Sequence, residues 1–277
     1  MAIQRVASKW AKTKILLQNK GIAAYIPTTR RYSIEALREL LAAHTVVYIK
    51  PDRGTYGIGV MSVEIVPPEK SSENSDLQDS QSIAESASPS YRLRYEQKKE
   101  TFSSIEALHK TLKSLINKRE YLAQQGIDLL RFEGRPFDLR VLTQKTPTGQ
   151  WATTGIIGRV AAKNKIVTNH HSGGIVKHFK TLMSEHMNAE EIENIRQELK
   201  ILGVNVAAQL QKSYPRLKEI GLDVAIDSRW NIWILEVNTR PALFPFKKFF
   251  KDPSIYNTVR KYAQAYGRKL PDAKKAR

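Results

Sequence analysis

The chain has 277 residues, of which 41% are hydrophobic, so it is long enough to bury one large core or two smaller ones. It has no cysteine and no run of 18 apolar residues, which excludes disulfides, thiolate metal sites, cysteine nucleophiles and a membrane-spanning helix. The formal net charge of +18 attracts polyanions, although a soluble and highly charged surface explains the same value. Residues 1–12 lack the apolar core of a signal peptide, so we expect a cytoplasmic protein with no membrane partner.

The first part of the chain predicts alternating helices and strands. Serines that can act as N-caps begin predicted helices at residues 8–18 and 33–41. Runs of β-branched residues predict strands at residues 46–49 and 60–66.

A glycine-rich loop connects these two strands. Lys50 ends the first strand, and Gly54, Gly57 and Gly59 follow before the second strand begins. Such glycines let backbone N–H groups approach a phosphate, to which the lysine adds a cation. An ordinary hairpin turn fits this loop equally well, and the pattern matches neither a Walker A motif nor a Rossmann fingerprint.

Residues 67–90 differ in composition from the rest of the chain. They carry five acidic residues against one lysine and almost no large apolar residues, so we predict a disordered acidic insertion. A strand at residues 91–97 should follow it. Ser103 with Glu106 three residues later reads as a capping box that begins the next helix.

The second half of the chain predicts strands at residues 121–125, 137–144 and 151–160. A long helix should begin at Asn188, where Glu191 completes a capping box, and the basic segment from residue 247 should be helical in part. Strands and helices in this mixed order indicate an α+β fold.

The last predicted hairpin contains the most informative residues. Asp223 and Glu236 are equidistant from the centre of its turn, so they should face each other, and Asn238 should share the face of Glu236. Two facing carboxylates repel unless a cation lies between them, and hard oxygen ligands suit Mg²⁺. The alternative is a solvated face that binds no metal.

Two further clusters could contact an anion. Asp138 and Arg140 share one strand face, where a cross-strand salt bridge fits as well as a phosphate contact. Arg159 and Asn169 precede two glycines at residues 173–174, which would let a loop lie over a ligand.

Taken in order, these residues resemble the ATP-grasp superfamily and, more closely, the YheC/YheD family of endospore coat-associated proteins. The resemblance extends from Ser8 to about Pro241. The motifs that carry it are Lys50 with its glycine loop, residues 134–140 (GRPFDLR), Asn169 with the two glycines, and residues 221–223 and 235–238.

The resemblance implies an ATP-grasp fold, in which two α+β lobes with antiparallel sheets clasp ATP. The N-terminal lobe, with a lid and the acidic insertion, would span residues 1–120. The C-terminal lobe, with the metal site, would span residues 121–250, and a basic tail would span residues 251–277.

Three sets of residues receive roles from this resemblance. Those implied to bind ATP are Lys9, Lys50, Gly54, Gly57, Gly59, Gln124, Gln125, Ile127 and Asp128. Those implied to hold one or two Mg²⁺ ions are Asp223, Glu236 and Asn238. Those implied to face the transferred phosphate and the acyl intermediate are Arg140, Arg159 and Asn169.

The implied activity is an ATP-dependent carboxylate–amine ligase that forms C–N bonds through an acyl phosphate. The resemblance adds a link to endospore coat formation and a location at the spore coat. The carboxylate and the amine stay unidentified, and a polyanionic substrate would suit the charge. Two alternatives stay open: an ATP-binding structural or regulatory protein without turnover, and a nucleic-acid-binding module driven by charge. We do not expect nucleic acid as the primary partner.

The chain departs from the family pattern at two places. Ser8 stands where an aspartate usually precedes the first lysine, and residues 239–241 (Thr-Arg-Pro) replace the small residues that follow the asparagine in other ligases.

Overall fold

The structure, a computed structural model, describes residues 2–67, 89–162, 174–249 and 253–270. Residues 68–88 of the predicted acidic insertion therefore lie outside the described residues, as does Asn169. The chain divides into two compact units. The large unit contains Met1–Pro27, Asp52–Ile58 and Ile127–Arg277, and the small unit contains Thr28–Pro51 and Gly59–Gly126.

Helices and antiparallel strands make up both units. The helices are α1 (Lys9–Leu17), α2 (Lys20–Ala23), α3 (Ile34–Ala43), α4 (Ile105–Ile116), α5 (Phe179–Met183), α6 (Ala189–Ser213), α7 (Pro245–Lys248) and α8 (Ser254–Ala265). The strands are β1 (Thr29–Arg31), β2 (Val46–Pro51), β3 (Met61–Val66), β4 (Ser90–Tyr95), β5 (Lys98–Phe102), β6 (Tyr121–Gln125), β7 (Arg131–Phe132), β8 (Arg135–Lys145), β9 (Trp151–Val160), β10 (Ile175–His178), β11 (Glu219–Ile226) and β12 (Ile232–Asn238). This mixture confirms the predicted α+β class. No helix within the described ranges is long and apolar enough to cross a membrane.

The small unit is a six-stranded sheet in the order β1-β6-β2-β3-β4-β5, packed against α3 and α4. Serine hydroxyls cap both helices: Ser33 accepts from the backbone of Ala36, and Ser104 accepts from that of Ala107. The cap of α4 is thus Ser104 rather than the predicted Ser103, because Ser104 has the extended backbone that brings its hydroxyl to the first turn.

The division into units differs from the contiguous lobes predicted from the sequence. β6 pairs with β1 and β2, so residues 121–125 belong to the sheet of the small unit. α1 packs against α6, which brings the N-terminal residues into the large unit. α8, within the predicted tail, buries Val259 and Ala263 in a core of the large unit.

The large unit is a sheet in the order β10-β9-β8-β11-β12, with β7 paired to β8. α6 packs on one face and buries a stripe of leucine and valine side chains there. Its predicted capping box is confirmed, because Asn188 and Glu191 each accept a hydrogen bond from the other's backbone N–H. α7 and α8 pack on the opposite face, around Leu142 and Phe246.

One irregularity in the β11–β12 hairpin decides which side chains share a face. Val224 pairs with Ile234 and Asp223 pairs with Glu236, so Leu235 is an additional residue in β12. Because of this bulge, Glu236 lies on the face of Asp223; regular alternation through Leu235 would turn it toward α6. The structure confirms that Asp223 and Glu236 face each other.

Candidate functional site

Charged side chains form a line across four adjacent strands of the large unit. Strand register places Asp138 opposite Arg159, Arg140 opposite Asp223, and Asp223 opposite Glu236. We call these five residues the charge line. It lies on the sheet face opposite α6, since the alternate side chains of the same strands fill the core beneath that helix.

Two arginines bind the carboxylates at the centre of the charge line. Arg159 forms a bidentate pair with Asp138, in which Nε lies 2.8 Å from Oδ1 and Nη2 donates to Oδ2. The same Nη2 lies 3.1 Å from Oδ2 of Asp223. Arg140 Nε donates to Oδ1 of Asp223 at 2.5 Å. Asp138 and Arg159 are only 3% and 8% exposed, so this pair is almost fully removed from water.

Opposite charges keep these buried groups ionised. Burial would lower the pKa of Arg159, but the carboxylates of Asp138 and Asp223 outweigh it and raise that pKa. Burial would likewise raise the pKa of Asp223, but Arg140 and Arg159 outweigh it and lower that pKa. The charge line therefore presents fixed cations and fixed anions side by side.

The donor atoms at the end of the line suit a hard divalent cation. Asp223 and Glu236 offer carboxylate oxygens, and the amide of Asn238 lies 3.4 Å from Oδ2 of Asp223. Glu236 also lies 3.5 Å from Nζ of Lys9. Among the residues described, no three His, Asp or Glu side chains are arranged so that they could hold a metal ion, so a metal here would depend on two carboxylates and one amide.

Asp52 ties the glycine-rich loop to the start of α1. Its carboxylate accepts from Ser8 Oγ at 3.0 Å and from the backbone N–H of Trp10 at 2.7 Å. Nζ of Lys9 donates to the carbonyl of Gly54 at 3.0 Å. A carboxylate is stabilised at a helix N-terminus, so Asp52 supplies the acidic group that Ser8 lacks.

Lys12 is a second buried lysine on α1, which the sequence analysis did not single out. It is 4% exposed, and its Nζ donates to the carbonyl of Val6 at 3.0 Å. Burial lowers its pKa to about 8, against the opposing attraction of Glu236. Lys12 could have been identified from the sequence, because it lies three residues after Lys9 on a predicted helix and residues at this spacing share a helix face.

The sequence analysis includes Gly221 only as part of the motif at residues 221–223. The structure shows that this position has no room for a side chain. It lies opposite Asn238, where an added Cβ would be 2.8 Å from Cβ of Pro241 and 3.0 Å from Cδ of Arg140. The missing side chain therefore gives Arg140 room to reach Asp223.

The small unit holds other residues predicted to bind ATP. Nζ of Lys50 donates to Oε1 of Gln124 at 2.6 Å, and Nε2 of Gln124 donates to Oγ1 of Thr29 at 2.9 Å. Gln125 accepts from the backbone of Thr28 at 3.1 Å. Gly59 has a φ of +75°, which favours glycine, and an added Cβ would lie 2.8 Å from the hydroxyl of Tyr121.

The predicted site residues thus fall into groups. In the large unit the structure joins Lys9, Gly54, Arg140, Arg159, Asp223, Glu236 and Asn238 by the contacts above. Gly57, the buried Ile127 and the exposed Asp128 also belong to the large unit. One of the boundaries between the units lies between Gly126 and Ile127, within the set of residues 124–128 implied to bind ATP. The ligand roles of all these residues, and that of Asn169, stay predictions.

Comparison with known proteins gives a family and several relatives. A family model described as YheC/D like ATP-grasp matches residues 2–270. The endospore coat-associated protein YheD of Bacillus subtilis (strain 168) is 27% identical over 253 residues, which are 90% of this chain and 51% of YheD. The corresponding YheC is 24% identical over 235 residues, which are 84% of this chain and 60% of YheC. The chain therefore spans about half of the one relative and three-fifths of the other.

A solved structure, the ADP complex of purK (N5-carboxyaminoimidazole ribonucleotide synthetase), is similar with a TM-score of 0.49 and 11% identity. The similarity covers 94% of this chain and 52% of that one.

Proposed function

This chain belongs to the YheC/D-like ATP-grasp family, and we propose that it is an ATP-dependent ligase that joins a carboxylate to an amine. The observation that carries the proposal is the charge line with Lys9 at its end. Phosphoryl groups are bound by arginine and lysine, and the Mg²⁺ that accompanies them is bound by carboxylates. The large unit holds both sets of side chains on one sheet face.

In this proposal the cations of the site bind phosphoryl oxygens. Arg159 is held bidentately by the buried Asp138, so its guanidinium is fixed in direction before any ligand arrives. Arg140 and Lys9 would add charge from the neighbouring strand and from the start of α1. A phosphate that draws Arg140 toward itself would release Oδ1 of Asp223.

Asp223, Glu236 and Asn238 are the residues that would hold Mg²⁺. The ion would neutralise charge on the nucleotide phosphates and orient them. Glu236 is the most accessible of the anions in this cluster, with a side chain that is 26% exposed.

The proposed reaction has two steps. A substrate carboxylate attacks the γ-phosphorus of ATP, the bond from that phosphorus to the bridging oxygen breaks, and ADP leaves as the acyl phosphate forms. An amine then attacks the acyl carbon, phosphate leaves, and the amine loses its extra proton to solvent. Arg159 would stabilise the oxyanion of the second step, and neither step needs a nucleophile from the protein.

The test is incubation of the full chain with Mg-ATP and pooled carboxylates and amines. ADP is quantified, and mass spectrometry identifies a product equal to carboxylate plus amine minus water. Glu236→Gln keeps size and removes one charge, so it should lower substrate-dependent ADP release by at least about a hundredfold. Glu190→Gln, an exposed change on α6, is the matched control and should act as wild type. Equal rates in both variants would refute the assignment of the hairpin.

One observation favours a second candidate, an ATP-binding protein without turnover. Both oxygens of Asp223 are engaged by arginines, which leaves less of its charge for a metal. This candidate predicts normal Mg-ATP binding by calorimetry with no ADP release across the whole substrate pool. Product formation with any carboxylate would exclude it.

We extend the proposal to endospore coat formation, because both curated relatives are named as coat-associated. Fractionation of spores from the source organism should recover the protein with the coat. Its recovery only from vegetative cells would contradict this extension.

A further inference from the structure

The described residues at the C-terminal end of the large unit carry charge of one sign. Among the described residues from 239 to 270, basic side chains occur and acidic ones do not. Six of these basic side chains are exposed, and we call them the C-terminal basic surface: Arg240, Lys247, Lys248, Arg260, Lys261 and Lys269.

On the opposite face of the same sheet, α6 carries four glutamates against three basic residues. Lysines of α1, α2 and α5 add positive charge to that side, so net charge alone does not distinguish the two faces. The described cations around α7 and α8 differ in that no acidic side chain occurs among them in residues 239–249 and 253–270. Such a group of exposed cations suits a polyanionic partner.

The basic surface lies beside the charge line. Arg240 is two residues beyond Asn238, so their Cα atoms are at most roughly 7 Å apart. Phe246 of α7 rests on Gly155, where an added Cβ would be 2.4 Å from the ring. Gly155 lies opposite Leu142, two residues along β8 from Arg140. Lys247 and Lys248 thus follow a residue that is packed on the same sheet face as the charge line.

A buried carboxylate fixes this surface to the sheet. Glu219 of β11 is fully buried and forms ion pairs with Arg5 and Arg268. The hydroxyl of Tyr266 donates to the same carboxylate at 2.7 Å, and Arg268 donates to the carbonyl of Pro241 at 2.8 Å. The cations are therefore presented by a segment that is anchored at both ends.

We propose that the C-terminal basic surface binds the carboxylate substrate, and that this substrate is an acidic polypeptide. The inference rests on the proposed function, since a ligase of this class needs a carboxylate at the charge line. A peptide with several Asp or Glu side chains supplies both a carboxylate for the charge line and negative charge for the basic surface. One carboxylate enters the site, and its neighbours pair with the lysines around α7 and α8.

The test compares two variants with the same change in net charge. K247E/K248E reverses the basic surface, and K180E/K212E reverses two exposed lysines on α5 and α6. Binding of a fluorescent, end-capped deca-glutamate is measured by anisotropy without ATP at low salt. We expect K247E/K248E to bind at least about tenfold more weakly than wild type, and K180E/K212E to stay within about threefold.

Three results would overturn the inference. The first is an equal loss in both variants, which would mean that only net charge matters. The second is tighter binding of a single-stranded oligonucleotide of equal charge that needs the same lysines. The third is no binding of the peptide by wild type. Mg-ATP affinity, measured in parallel, should be unchanged in both variants, so a failure of the proposed function is seen separately. If ligation of the peptide is observed, K247E/K248E should raise KM and leave kcat unchanged.

Discussion

Replacement of Arg159 by methionine should destabilise the large unit strongly. The side chain is 8% exposed and forms a bidentate pair with Asp138, which is 3% exposed. Removal of the arginine leaves the carboxylate of Asp138 buried without its cation, and such a change costs about 3–5 kcal/mol. This is a large part of the roughly 5–15 kcal/mol that stabilises a typical protein.

Urea unfolding followed by tryptophan fluorescence measures the loss of stability of the large unit. The four tryptophans, at residues 10, 151, 230 and 233, all belong to the large unit. The matched control is Arg135→Met on the neighbouring strand β8, where Arg135 lies 3.5 Å from an exposed carboxylate of Glu133. An exposed pair contributes about 0–1 kcal/mol, so the control should unfold almost as wild type does.

A double variant separates the ion pair from simple packing. Asp138→Leu with Arg159→Met replaces both charges by apolar groups, and it should recover most of the lost stability. The reasoning would be refuted if Arg159→Met cost less than about 1 kcal/mol, or if the double variant were less stable than the single one.

Three further predictions concern other parts of the molecule. Lys50→Ala should weaken Mg-ATP binding by about 1.5–3 kcal/mol in calorimetry, because hydrogen bonds from a charged donor are lost; unchanged affinity would remove Lys50 from the site. Acid should destabilise wild type more than Asp223→Asn in urea unfolding. Burial raises the pKa of Asp223, but its two arginines lower it below the unfolded value of about 4. The resulting stability is complete above that value and is lost as the pH falls through the folded pKa, so equal acid sensitivity would contradict the ion pairs. Thr239→Val should lower the unfolding free energy by about 1–2 kcal/mol and Thr239→Ser by less, because the hydroxyl accepts from the backbone of Val6 at 2.8 Å. A larger loss for Thr239→Ser than for Thr239→Val would show that the methyl group matters instead.

Features set by local chemistry could be predicted from the sequence. The capping box at Asn188 and the serine cap at Ser33 depend on residues within one helical turn. The cap at Ser104 was missed by one position, since two adjacent serines offer the same hydroxyl and only the backbone conformation selects one of them.

Contacts between distant parts of the chain could not be predicted in this way. No local pattern links Asp52 to the start of α1, and nothing in residues 121–125 indicates that β6 inserts between β1 and β2. For Arg140 the sequence left a cross-strand salt bridge and a phosphate contact equally open, and for Arg159 it predicted a ligand contact. Their common partner Asp223 was not predicted, because the reach of both arginines depends on strand register and, for Arg140, on the space left by Gly221.

The facing acids show how a correct prediction can rest on incomplete geometry. Ile226 pairs with Ile232, so a regular ladder from the turn would place Asp223 opposite Leu235. The bulge adds one residue and brings Glu236 into that position. The sequence prediction assumed a turn centred between Arg229 and Trp230 and a regular hairpin around it. It therefore named the correct pair, Asp223 and Glu236, although in the structure the bulge is what brings them together.

The additional residue in β12 has a consequence for how relatives of this chain are aligned. A hairpin that lacked Leu235 would keep Val224 opposite Ile234 and would still bring the glutamate opposite Asp223. Acids twelve positions apart in one protein and thirteen apart in another can therefore occupy the same place in space. A search pattern that fixes the interval would reject some intact sites, whereas one that tolerates a single-residue gap just before the glutamate would retain them.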